Sequence, residues 1–158
     1  MLDDVKDPQA RRGLLVIGHG SRRDEANATL RDVARRLADG ATFVLVEAVF
    51  LELSEPTIEQ GYGHLVDAGC TDIVAHPFFL FPGLHTTSDI PAQLHEAARR
   101  HPGARWTVTE PLGLHPGVVQ AALARIEEAA TGQTSTEEID HGSDKSVDPG
   151  LPSDPVDA

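Results

Sequence analysis

Two nearly continuous apolar runs, Leu14 to Gly18 and Phe43 to Phe50, with a segment of helical periodicity between them, leave this chain few folds to choose from. A strand that is apolar at successive positions must be covered on both faces, as parallel strands joined by helical crossovers are. Ala26, Leu30, Val33, Ala34 and Leu37 step by 4, 3, 1 and 3 residues, one stripe at helical period, and Gly40 supplies a stop. The next unit repeats the scheme. Ser54 can cap a helix with Pro56 in its first turn, Ile58, Tyr62, Leu65 and Val66 form its stripe, and Gly69 ends it before a strand from Asp72. Pro91 marks a third helix running to about Arg100, and a short strand covers Arg105 to Thr109. A last helix follows Pro116, with Val118, Val119, Ala122, Leu123 and Ile126 expected on its inner face. Four strands and four helices with right-handed crossovers predict an α/β fold, a three-layer sandwich with a four-stranded parallel sheet.

The chain has 158 residues, 40% of them hydrophobic, enough for one ordinary domain with a real core. We divide it into a polar N-terminal segment, 1–12, an α/β domain, 13–131, and an acidic tail, 132–158. The tail holds seven acids and one lysine among Gly, Ser, Thr and Pro, a composition that buries too little surface to fold. The net charge of −12 argues against a nucleic-acid partner, because a phosphate backbone needs a basic face. No stretch approaches the roughly 20 apolar residues of a membrane span, and the N-terminus lacks the apolar core of a secretion signal. The lone Cys70 rules out an internal disulfide and reads as a buried residue in a reducing, cytoplasmic setting.

Chemistry concentrates where the strands end. His19 follows the first run between Gly18 and Gly20, Glu52 follows the second, and His85 follows the run Ile73 to Phe81. In open α/β sheets that carboxyl edge is where ligands bind. His19 alone could cap a turn or belong to a phosphate loop, although Arg23 stands where a dinucleotide fingerprint needs its third glycine. Glu52 is either solvated or aimed into the cleft. Three of the five phenylalanines, Phe78, Phe79 and Phe81, precede His85; they either form a flat apolar wall for a ring-shaped ligand or finish a buried strand. Ser88 and Asp89 read as helix caps. Glu47, inside a strand, needs a partner, and His76 reads as a hydrogen-bonded core histidine.

Together these residues resemble a known family. Leu15-Val16-Ile17-Gly18-His19-Gly20-Ser21-Arg22, Phe50-Leu51-Glu52-Leu53 with Pro56, and Pro77-Phe78-Phe79-Leu80 through Gly83, His85 and Asp89-Ile90-Pro91 are similar, in type and separation, to the sirohydrochlorin chelatases of the CbiX and SirB type. The likeness covers about Gly13 to Ala130, in the short single-domain form. It implies a chelatase-like fold and a class II chelatase that inserts a divalent metal into sirohydrochlorin, in siroheme or cobalamin biosynthesis. It also implies His19 and His85 as metal-binding catalytic histidines and Glu52 as the accompanying acid. The metal, Co2+ or Fe2+ with Ni2+ as a further candidate, is then a substrate, and no organic cofactor is expected.

The chemistry fits those side chains. Metallating a tetrapyrrole requires holding a hydrated divalent ion and removing two pyrrole protons, work suited to imidazole and carboxylate. The substrate carries eight carboxylates, so an acidic protein needs a local positive patch. Arg22 and Arg23, beside the first helix, are the candidates. The resemblance further implies a homodimer whose cleft is built from two chains. The rival readings are a non-catalytic metal or tetrapyrrole carrier and a nucleotide-binding module built on the Gly-His-Gly-Ser turn.

Overall fold

A computed structural model describes residues 11–40 and 42–132. The expected N-terminal segment and acidic tail lie, but for Arg11, Arg12 and Gly132, outside these residues. The element order is β1 (Arg12–Gly18), α1 (Asp24–Gly40), β2 (Leu45–Phe50), α2 (Ile58–Asp67), β3 (Asp72–Pro77), a π-turn (His85–Asp89), α3 (Ile90–Arg100), β4 (Arg105–Val108) and α4 (Pro116–Ala130). The four strands form one parallel sheet in the order β2-β1-β3-β4.

Two hydrophobic clusters cover the two faces, as a doubly buried parallel sheet demands. On one, Leu15, Ile17, Val49, Ile73 and Ala75 pack with Ile58, Tyr62 and Leu65 of α2 and Ile90, Leu94 and Ala97 of α3. On the other, Leu14, Val16, Ala48 and Phe50 pack with Leu30 and Ala34 of α1. The sandwich of three layers is the one the periodicity predicts. Cys70 is buried.

Local expectations fare unevenly. The cap of α2 is Thr57, not Ser54: its hydroxyl accepts from Gln60 N–H while the Gln60 side chain reaches back to the Thr57 N–H, a complete capping box. Both signatures stand within four residues of each other, and only Thr57 has the Gln three residues on. Gly69, at φ +81°, does end α2. The third strand stops at Pro77 rather than continuing to Phe81, because proline offers no N–H to the ladder. Glu47 finds its partner in His64, whose Nδ1 lies 2.9 Å from Oε1. His76 bonds Thr109 Oγ1 through Nδ1 at 2.6 Å.

The body of the fold forms one unit that ends at Ala122, inside α4. Of the residues expected on the inner face of α4, Val119 belongs to this unit and is 47% exposed. Periodicity tells which side of a helix is apolar, not what covers it. Among the described residues no helix is long and apolar enough to cross a membrane.

Candidate metal centre

Strand order brings the three strand-end residues together. β1 lies between β2 and β3, so the loop leaving β1 is flanked by the loops leaving its two neighbours. The β1–β2 ladder runs on past the strands: Leu51 N–H donates to Gly18 O at 2.9 Å and Glu52 N–H to His19 O at 3.1 Å. His19 and Glu52 are thereby cross-strand neighbours. On the other side, Phe78 N–H donates to Ile17 O at 2.8 Å before the chain loops through Gly83 to the π-turn that carries His85. One-turn π segments are frequent at functional sites.

Two backbone features make the close approach possible. Gly20 has φ +95°, and a Cβ there would run into the Glu52 carbonyl oxygen. Leu53, directly after Glu52, adopts φ +63°, a left-handed turn that costs a branched residue about 1–2 kcal/mol. Strain of this kind persists where surrounding contacts over-determine it, and functional sites are its usual location.

One donor atom from each of His19, Glu52 and His85 lies within 4.8 Å of the others. Among the described residues this is the one cluster of three such side chains. Donors bound to a single ion at about 2.1 Å lie roughly 3–4 Å apart, so a small side-chain adjustment would close the set around one ion. His19 Nε2 is 2.9 Å from Glu52 Oε1, with the two side chains 44% and 52% exposed. The His19 and His85 rings meet edge to face, centroids 5.2 Å apart. All three groups are reachable from solvent.

The surroundings are apolar on one side. A pocket of about 240 Å³ opens beside His19, lined among others by Gly18, Leu30, Val33, Phe50 and Phe78. Phe78, Leu80, Phe81 and Leu84 are 37%, 51%, 69% and 80% exposed. Of the two readings of the Phe-rich segment, the strand ending fails for Phe78 and Phe81, and Phe79 alone packs against the core. Arg22 and Arg23 are exposed in the turn between His19 and α1. They stand just outside the helix, whose first turn holds Asp24 and Glu25.

Two residues of the site are not legible as such in the sequence. Asn27 on α1 is 2% exposed, and its amide accepts from Ser21 N–H at 2.9 Å while donating to Ser21 O at 2.8 Å and Ser54 Oγ at 3.1 Å. It ties the His19 loop to the Glu52 loop. An asparagine in the first turn of an amphipathic helix looks like a solvated position, and its sole signal is that it falls one residue from the apolar stripe. Asp89, expected to cap α3, caps no backbone N–H; its carboxylate instead lies 2.8 Å from His85 Nδ1.

A parallel α/β sheet with two histidines and a carboxylate converging from three adjacent strand ends defines an α/β protein equipped to hold a divalent ion. The model of the CbiX family matches residues 13–129, and the chain belongs to that family. It is 35% identical over 115 residues to a chloroplastic sirohydrochlorin ferrochelatase of Arabidopsis thaliana, covering 73% of this chain and 51% of that protein. It is 33% identical to a sirohydrochlorin cobaltochelatase of Sulfolobus acidocaldarius, covering 74% of this chain and 91% of the relative. Among solved structures, the sirohydrochlorin chelatase SirB from Bacillus subtilis subspecies spizizenii in complex with cobalt superposes with a TM-score of 0.71 at 33% identity, over 76% of this chain and 51% of that one. The chain thus spans about half the length of the plant and Bacillus proteins and most of the Sulfolobus one.

Proposed function

We propose that this protein is a sirohydrochlorin chelatase, a lyase that inserts a divalent metal, Co2+ or Fe2+, into the macrocycle for siroheme or cobalamin biosynthesis. The observation that carries the reading is the convergence of His19, Glu52 and His85 within 4.8 Å at the carboxyl edge of the sheet. Relatives named for cobalt and for iron insertion support it and leave the choice of metal open. In this reading the two imidazoles hold the incoming ion, a borderline-soft donor set suited to Fe, Co and Ni. Glu52 supports the ion or accepts a pyrrole proton, and its contact with His19 gives that proton an onward path. The exposed Phe78 and Phe81 offer apolar surface to the ring, and Arg22 and Arg23 meet its carboxylates.

The same reading takes residues 13–131 as the catalytic domain, a homodimer as the working form and the cytoplasm as its setting. The open, exposed site supports a partner surface closing over the substrate. The test is anaerobic incubation of purified protein with sirohydrochlorin and each of Co2+, Fe2+ and Ni2+, followed by absorbance. Catalysed metallation above the uncatalysed rate is expected with at least one metal. Stoichiometric binding of metal or tetrapyrrole without turnover would make the protein a carrier instead.

A further inference from the structure

His85 and His19 are held in different ways. His19 Nδ1 meets the Gly20 carbonyl at a long 3.4 Å, and its Nε2 is engaged with Glu52. The ring of His85 is anchored by Asp89, whose Oδ2 lies 2.8 Å from Nδ1. A carboxylate only accepts, so a neutral imidazole in this contact must carry its proton on Nδ1, and the Nε2 lone pair is the one left to ligate. The i,i+4 spacing brings the two side chains together along the π-turn, whose Ile90 N–H donates to His85 O.

Asp89 gives up another task to do this. It stands in the capping position of α3, but its backbone is helical, φ −71° and ψ −44°, and its side chain accepts from no helix N–H. The hydroxyls nearby organise the loop instead: Thr86 and Thr87 both donate to Gly83 O, and Gly83 N–H donates to Thr86 Oγ1. The carboxylate is therefore spent on one imidazole.

We propose that Asp89 is a positioning residue: by accepting from His85 Nδ1 it fixes the ring's orientation and tautomer, so that Nε2 meets the incoming divalent ion. This rests on the reading of His19, Glu52 and His85 as the metal centre. Carboxylates placed behind a ligating histidine raise its basicity, and their loss typically costs about 10–100-fold in metal affinity.

The experiment pairs a measurement without metal with two that use it. Long-range 1H–15N correlation spectra of the metal-free protein, at a pH where His85 is neutral, should show the Nδ1–H form in wild type and a shift towards Nε2–H in Asp89→Ala. Asp89→Ala should also raise the dissociation constant for Co2+ and the apparent KM for metal by about 10–100-fold, with kcat at saturating Co2+ changed far less. Asp89→Asn keeps an acceptor oxygen within reach and should recover most of the loss. Asp89→Ser can cap a helix but is too short to reach His85, and should recover none. If Ser rescues as well as Asn, the residue is a cap and the inference fails. It fails too if Asp89→Ala leaves the tautomer and Co2+ affinity unchanged. Wild-type protein that binds Co2+ with these shifts but inserts no metal would overturn the chelatase reading alone.

Discussion

A divalent ion shared by three side chains loses affinity steeply when one is removed, because the remaining donors no longer enclose it. His19→Ala and His85→Ala are each expected to abolish metal insertion while the far-UV circular dichroism stays that of wild type, since both side chains are about half exposed and pack little. Glu52→Gln keeps an oxygen donor and should be slowed rather than dead. Wild-type turnover in both histidine variants would refute the site. Gly20 tests the scaffold behind these donors. Gly20→Ala places a methyl group against the Glu52 carbonyl at a left-handed φ, so it should cost at least about 1–2 kcal/mol in urea denaturation and also lose insertion. A fully stable, fully active Gly20→Ala would mean that the two loops do not need their close approach. At this scale the cluster of His19, Glu52 and His85 was legible because each follows an apolar run. Asp89 and Asn27 were not, since an Asp before Pro91 imitates a cap and a buried amide leaves no periodic trace.

The elements themselves were legible wherever burial enforces a period. β1 is an apolar run whose alternate residues enter both clusters, and α1 and α2 carry apolar stripes that each meet one of them; run and stripes are in the sequence. The segment from Phe78 to Leu84 broke the rule, because Phe78, Leu80, Phe81 and Leu84 are exposed in a loop rather than buried in a strand, and apolarity alone cannot tell the two apart. β3 offers a test of its polar interior. His76 is half-buried, bonded to Thr109 and set edge-on to Phe78 at 6.2 Å, and burial pushes its pKa below the free imidazole value. The folded protein therefore takes up fewer protons there than the unfolded chain once pH falls below about 6.5. Stability from this group is complete above that pH and is lost as pH drops towards the lower folded pKa. The melting temperature of wild type should fall more between about pH 7.5 and 5.5 than that of His76→Asn, which keeps a polar partner for Thr109 but does not titrate. Equal acid sensitivity in the two would remove His76 from the account.

For the whole molecule the governing quantity is charge. The chain carries −12, and the seven acids and one lysine of residues 132–158 contribute half of it. Under the proposed function an octacarboxylate substrate approaching such a protein would be repelled at long range, while Arg22 and Arg23 would attract it only near the site. Long-range repulsion slows association and is screened over about 10 Å at 0.1 M salt, whereas contact pairs are screened less. Truncation after Thr131 should therefore raise kcat/KM for sirohydrochlorin at low ionic strength, with the difference fading as salt approaches physiological levels. Its composition offers no core, so the melting temperature should stay unchanged. The decisive measurement is kcat/KM for both forms across a salt series at fixed Co2+, because a tail that gathered metal ions would instead make the truncated form slower at low Co2+. Identical salt slopes would show that the tail's charge is not felt at the site, and a melting temperature several degrees lower would show that it docks on the folded body.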